Sequence, residues 1–139
     1  MDTVGLSMEG FEVNDLKVNK DERGYVSEIL RKEQLEEDKF GQIYISTANP
    51  GMVKGNHYHK RKLEWFFVVN GTAKIALKNL KTGETNEVFL SGEKPQILKV
   101  FPNVVHAIEN VGKTTLYLIA YTSEPYNPDD TDTFPHKIL

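Results

Sequence analysis

Two histidines two residues apart, with a glutamate five residues further on, constrain this chain more than any other feature. The stretch runs Gly51-Met-Val-Lys-Gly-Asn-His57-Tyr-His59-Lys-Arg-Lys-Leu-Glu64-Trp-Phe-Phe-Val-Val-Asn-Gly71. It reads as two strands joined by a short polar link. Side chains alternate faces along a strand, so His57 and His59 point the same way. Four residues separate His59 from Glu64, enough for the chain to turn. If the second strand pairs beside the first, the Glu64 carboxylate faces both imidazoles. Two neutral nitrogens and a carboxylate converging on one point suit a divalent transition metal. Such an ion polarises a carbonyl or ionises a water. The competing reading is two surface histidines beside a glutamate that pairs with Lys60-Arg61-Lys62.

A site of three ligands needs a fourth donor or an open position. His106 is the candidate, within Val100-Phe-Pro-Asn-Val-Val-His106-Ala-Ile-Glu-Asn110. Asn103 is suited to a left-handed corner there, because Asn tolerates positive φ better than most residues. A hydrogen-bonded core histidine is the alternative for His106.

The remaining chain reads as short strands between turns. Phe11–Val18, Tyr25–Leu30, Gly41–Thr47, Thr72–Leu77, Glu87–Leu90, Ile97–Phe101, His106–Asn110 and Thr115–Tyr121 are the other expected strands. Asn70-Gly71 is a two-residue hairpin signal. Arg31–Lys39 carries the one expected helical turn. About ten short, closely spaced strands predict an all-β sandwich or barrel. We place the core at about 11–122, in one domain, and read 123–139 as an extended, irregular C-terminal arm with three prolines. Glu64, Phe66 and Val68 share one face of their strand, and Trp65, Phe67 and Val69 the other. An apolar outer face needs a cover, and a twin subunit is the cover we expect over a second sheet of the same chain. A homodimer follows.

The chain has 139 residues, no cysteine and a formal net charge of −3. Thiolate metal sites and cysteine nucleophiles are thereby excluded. A basic nucleic-acid face is not expected. No run is long and apolar enough for a membrane span, and the polar start over Met1–Asn14 is no signal peptide. A cytoplasmic protein is the expectation.

The order Gly51, His57, His59, Glu64, Gly71 fills every fixed place of the cupin first motif, and His106 with Asn110 matches the end of the second. At the front of the second motif this chain departs: Phe101 holds the proline place and Asn103 the glycine place. The chain thus resembles metal-binding cupins, which implies a double-stranded β-helix, or small jelly roll. Asp21-Glu-Arg23-Gly24-Tyr25-Val-Ser-Glu28 resembles a nucleotide-sugar-binding segment of 3,5-epimerases, often offered to a neighbouring subunit. Gly55-Asn56-His57-Tyr58-His59, Ile108–Gly112 and Tyr126–Phe134 are similar to the zinc-binding cupin half of a bifunctional capsular polysaccharide enzyme. Related 3,4-ketoisomerases usually carry glutamine at the Glu64 place, and a carboxylate there favours a metal.

The resemblance implies an epimerase or isomerase of a nucleotide-diphosphate 4-keto-6-deoxy sugar in surface polysaccharide biosynthesis. It implies metal ligands His57, His59, Glu64 and His106, with zinc expected first and Fe2+, Mn2+ or Ni2+ as alternatives. Tyr121, Tyr58 and Lys54 are the candidate catalytic groups. Arg23, Glu28, Asn56 and Lys54 are the candidate substrate-binding groups. An iron-dependent dioxygenase and a non-catalytic sugar-binding cupin remain the other readings of the same ligands.

Overall fold

The computed structural model describes residues 10–139, so residues 1–9 of the polar start fall outside the account. The strands are β1 (Phe11–Asp15), β2 (Asn19–Asp21), β3 (Gly24–Val26), β4 (Gln42–Ala48), β5 (Val53–Tyr58) and β6 (Glu64–Asn70). They continue with β7 (Thr72–Asn79), β8 (Thr85–Ser91), β9 (Gln96–Val100), β10 (Val104–Asn110), β11 (Leu116–Thr122) and β12 (Phe134–Pro135). Sheet one has the order β1-β9-β6-β11-β4, sheet two β12-β5-β10-β7-β8, and β2 and β3 form a separate ribbon. Every pairing is antiparallel. This is the expected all-β jelly roll.

The period of two builds the core. β7 sends Ala73, Ile75 and Leu77 inward, and β6 answers with Phe66 and Val68. Leu98, Val100, Val104, Ile108, Leu116, Leu118 and Ala120 complete one apolar cluster between the sheets. Each large aliphatic residue buried there contributes roughly 1.5–3 kcal/mol.

Two expectations are corrected. The two motif strands do not pair: β5 lies in sheet two and β6 in sheet one. The Asn70-Gly71 turn is likewise no hairpin, because β6 and β7 belong to different sheets. Gly71, at φ 97°, makes the corner by which the chain crosses the sandwich. A Cβ there would stand 3.2 Å from Leu116 Cα, so positive φ and close approach both favour glycine.

The outer face of β6 is also covered differently. Trp65 and Phe67 pack with Leu16, Ile97 and Tyr121, and partly buried Ile29, Leu30, Leu35 and Leu63 close over them. The cover is this chain's own segment 27–40, not a twin. That segment has only a 3-10 turn at Lys32–Gln34, and β3 stops at Val26, short of the expected Leu30. A cleft of about 720 Å³ remains beneath it, bounded by residues such as Phe40, Trp65 and Tyr121. The C-terminal arm is more ordered than expected: β12 adds to the edge of sheet two beside β5. Among the described residues no helix is long and apolar enough to cross a membrane.

Candidate metal centre

His57, near the end of β5, stands directly opposite His106 of β10 in the antiparallel register. Their rings lie 4.8 Å apart. His59, just past β5, lies 5.2 Å from His57 and 5.5 Å from His106, ring centre to ring centre. The register of β10 against β5 shifts between His106 and Ala107. Opposite this shift, Gly55 (φ 89°) and Asn56 (φ 58°) take left-handed backbone. A Cβ on Gly55 would sit 2.9 Å from the His106 carbonyl. Glu64 opens β6 and reaches the cluster from the facing sheet. One donor atom from each of the four residues can be chosen so that all lie within 4.8 Å of one another.

The centre is deeply buried. Glu64 is 2 % exposed, His106 1 % and His59 7 %. Glu64 Oε1 lies 2.6 Å from His59 Nε2 and 3.0 Å from His106 Nε2. The second approach lacks hydrogen-bond geometry, so His106 Nε2 is buried without a hydrogen-bond partner. An orphaned buried nitrogen costs roughly 1–3 kcal/mol. A cation shared by these donors would remove that cost, and the donor set suits zinc.

The electrostatics follow from burial and mutual contact. Burial pushes the Glu64 carboxyl up, but the charge of His106 and the contacts with His106 and His59 outweigh it, and the net shift is downward. Burial lowers His59, yet the hydrogen bond and charge of Glu64 raise it above the usual histidine value. His59 Nδ1 donates to the Asp132 carbonyl at 2.6 Å. Each of its nitrogens thus has an acceptor beside it, which favours the doubly protonated ring when no metal is bound. Burial, with His106 next, pulls His57 down to about 4, so it is neutral and available as a ligand near pH 7.

Other predicted residues are distributed more widely. Lys54 lies across from β4, where its Nζ donates to Ser46 Oγ at 2.9 Å and to the Thr47 carbonyl at 3.1 Å. Tyr121 turns away from the cluster. It pairs with Trp65 in register and joins the outer cluster, and its hydroxyl accepts from Gly41 N–H at 2.7 Å. Tyr58 also faces outward and stacks on Phe134 of the arm. Asn56 is no free substrate donor: its Oδ1 accepts from the amides of Ile138 and Leu139 and its Nδ2 donates to the Leu139 carbonyl. Arg23 pairs with Asp21 on the exposed ribbon, and Glu28 with Arg31.

Two neighbours of the cluster, Tyr44 and Asp132, are not among the candidate site residues of the sequence reading. The Tyr44 hydroxyl lies 3.4 Å from Glu64 Oε2, and burial, with the Glu64 charge next, raises its pKa. The residue is 39 % exposed, and its hydroxyl end reaches the buried carboxylate. The alternation of β4 held the signal, since Tyr44 shares a face with Ser46 and Ala48. For Asp132 the signal is the resemblance of the Tyr126–Phe134 stretch, which assigns it no role.

Residues 19–134 match the polysaccharide biosynthesis C-terminal domain family. This chain belongs to it. The spore coat polysaccharide biosynthesis protein SpsL of Bacillus subtilis is 31% identical over 130 residues, covering 90% of this chain and 86% of that protein. A UDP-2-acetamido-2,6-beta-L-arabino-hexul-4-ose reductase of Pseudomonas aeruginosa is 32% identical over 86% of this chain. The matched region is 31% of that reductase, so this chain spans about a third of its length. The crystal structure of a dTDP-6-deoxy-D-glucose-3,5-epimerase from Legionella pneumophila, in complex with dTDP-4-keto-L-rhamnose, superposes with TM-score 0.83. That likeness covers 99% of this chain and 78% of the other, at 19% identity, and it is one of fold.

Proposed function

We propose that this protein is a metal-dependent epimerase or isomerase of a nucleotide-diphosphate 4-keto-6-deoxy sugar in polysaccharide biosynthesis. The observation that carries the reading is the buried set of His57, His59, Glu64 and His106, with His106 Nε2 lacking a hydrogen-bond partner among the described residues. The family membership and a relative named for a UDP-linked hexulose support the substrate class. A divalent ion held by these four residues, zinc first, would supply fixed positive charge for the oxygen of a ketone or its enolate.

The chain's own groups divide the remaining work. The hydroxyl of Tyr44 stays protonated at neutral pH, because burial and Glu64 both oppose its ionisation. A hydroxyl held protonated donates a proton and does not abstract one, so Tyr44 is the general acid of this reading, giving its proton to the developing enolate. Lys54 extends along the inner side of β4 and takes the substrate diphosphate as a point charge. Arg23, exposed on the β2–β3 ribbon, offers a bidentate fork to a substrate in a neighbouring subunit. Ile43 and Ile45, 59 % and 63 % exposed on the edge strand β4, support a homodimer; an unpaired apolar edge invites a second copy.

The test is incubation of the zinc-loaded protein with 4-keto sugar nucleotide in deuterated water. Deuterium at C3 is the expected result. Unlabelled ring carbons with a fully loaded metal would refute the epimerase. His57→Ala combined with Glu64→Ala is expected to abolish metal content, and an unchanged metal content would refute the ligand set. Oxygen consumption with iron loaded, and no exchange, would select the dioxygenase.

A further inference from the structure

Asp132 lies more than seventy residues beyond the histidine motif, in a polar stretch that reads as an irregular arm. It is nevertheless 3 % exposed. Its carboxylate accepts from three consecutive backbone amides, Lys60 and Arg61 at 2.9 Å each and Lys62 at 3.0 Å. Those amides belong to the link between His59 and Glu64, where no strand partner is available to satisfy them. Its backbone carbonyl accepts from His59 Nδ1 at 2.6 Å. Residue 132 holds this contact at φ 48°, a left-handed conformation that Asp tolerates better than most residues. One residue therefore grips a metal-ligand segment twice, by side chain and by main chain.

We infer that Asp132 is a positioning residue of the metal centre, and that the C-terminal arm is thereby coupled to metal binding. The inference rests on the proposed ligand set. A carbonyl can only accept, so the contact fixes a proton on His59 Nδ1 and leaves Nε2 as the donor atom for a cation. The carboxylate sets the path of residues 60–62, and with it the distance from His59 to Glu64. Groups that orient a ligand in this way typically govern affinity by 10–100-fold. Two neighbouring contacts hold the arm down on the same link: Lys62 Nζ donates to the Thr131 carbonyl at 3.0 Å, and Arg61 pairs with Asp130 at 3.2 Å. Coupling is reciprocal, so a bound cation must also tighten the arm.

The experiment compares wild type, Asp132→Ala, Asp132→Asn and a control in the same arm, Asp129→Ala. Zinc affinity is measured by competition with a chromophoric chelator, and the His59 Nδ1–H resonance is followed by NMR with and without zinc. Asp132→Ala is expected to weaken zinc binding about 10–100-fold and to lose the slowly exchanging Nδ1–H. Asp132→Asn keeps the left-handed backbone and one acceptor oxygen, and is expected to fall between. The control is expected to match wild type. Zinc is expected to slow amide exchange at Lys60–Lys62 and in the arm of wild type.

Wild-type zinc affinity with an intact Nδ1–H in folded Asp132→Ala overturns the inference. Should that variant fail to fold, wild-type affinity in Asp132→Asn together with zinc-insensitive exchange in the wild-type arm overturns it. Failure of wild type itself to take up zinc overturns the ligand set. In that case a protected Nδ1–H in metal-free wild type, lost in Asp132→Ala, still supports the positioning of His59.

Discussion

Replacing Glu64 by glutamine alters charge and hardly alters volume, which makes it the sharpest single perturbation of this centre. The carboxylate is 2 % exposed, and one of its oxygens approaches two imidazoles at 2.6 and 3.0 Å. Glutamine can still accept from His59, but without the charge. A charge-assisted hydrogen bond is worth about 1.5–3 kcal/mol and a neutral one about 0.5–1.5. The metal-free protein should therefore lose about 1–2 kcal/mol of stability near pH 6. The proton on His59 Nε2 loses its charged partner, so the pKa of that ring should fall, with the Asp132 carbonyl left to oppose burial. The metal should suffer more. Disturbing a group behind a ligand typically costs 10–100-fold, so converting a ligand should cost about 100-fold or more, which is about 2.7 kcal/mol. Urea unfolding of the metal-free protein measures the first number and chelator competition the second. Zinc binding to wild type at pH 7 should also release more protons than binding to the variant, the difference coming from His59. Calorimetry in buffers of different ionisation heat reads that difference. A folded Glu64→Gln with zinc affinity within about threefold of wild type would refute the reasoning, since 10-fold is the least that a group supporting a ligand is expected to govern.

Tyr44→Phe should fold and bind zinc like wild type yet slow deuterium exchange into substrate by about 10²–10⁴, the range of a lost acid–base group; exchange within threefold of wild type would sink the role. His57 has a folded pKa of about 4 against 6.5 for the free residue. A depressed value means stability present above pH 6.5 and lost as pH falls through 4, worth roughly 3 kcal/mol for this ring. Metal-free His57→Gln should show a flatter loss of stability over that window in urea titrations. Asn103 sits at φ 66°, so Asn103→Ala should cost about 1–2 kcal/mol and Asn103→Gly much less, by thermal unfolding.

That His57, His59, Glu64 and His106 would cluster could be read from spacing, because three of them obey strand periodicity and fixed intervals. Asn103 could be read too, since a corner demands a residue tolerant of left-handed backbone, and it adopts one. Which strands pair could not be read, because Asn70-Gly71 serves a corner between sheets as well as it serves a hairpin. Tyr121 was misplaced for a similar reason. Along β11, Leu118 and Ala120 share one face and Ile119 and Tyr121 the other, and both faces are apolar. Periodicity separates the two sets without saying which set looks inward; the register with Trp65 decides it. The twin expected over Trp65 and Phe67 failed because Ile29, Leu30 and Leu35 lie in a charged stretch whose apolar members do not repeat at any period. Asp132 lies in the Tyr126–Phe134 stretch that the resemblance marks, but its role could not be read, because its contacts are to a segment some seventy residues away.

The donors come from opposite walls. His57 and His106 stand in sheet two while Glu64 stands in sheet one, so an ion bound among them would rivet the two sheets face to face. Releasing it would require either a ligand to swing free within a packed interior or the walls to part. Slow exchange of the ion, and a protein that resists heat better when loaded than its core alone would allow, are the natural outcome of that construction.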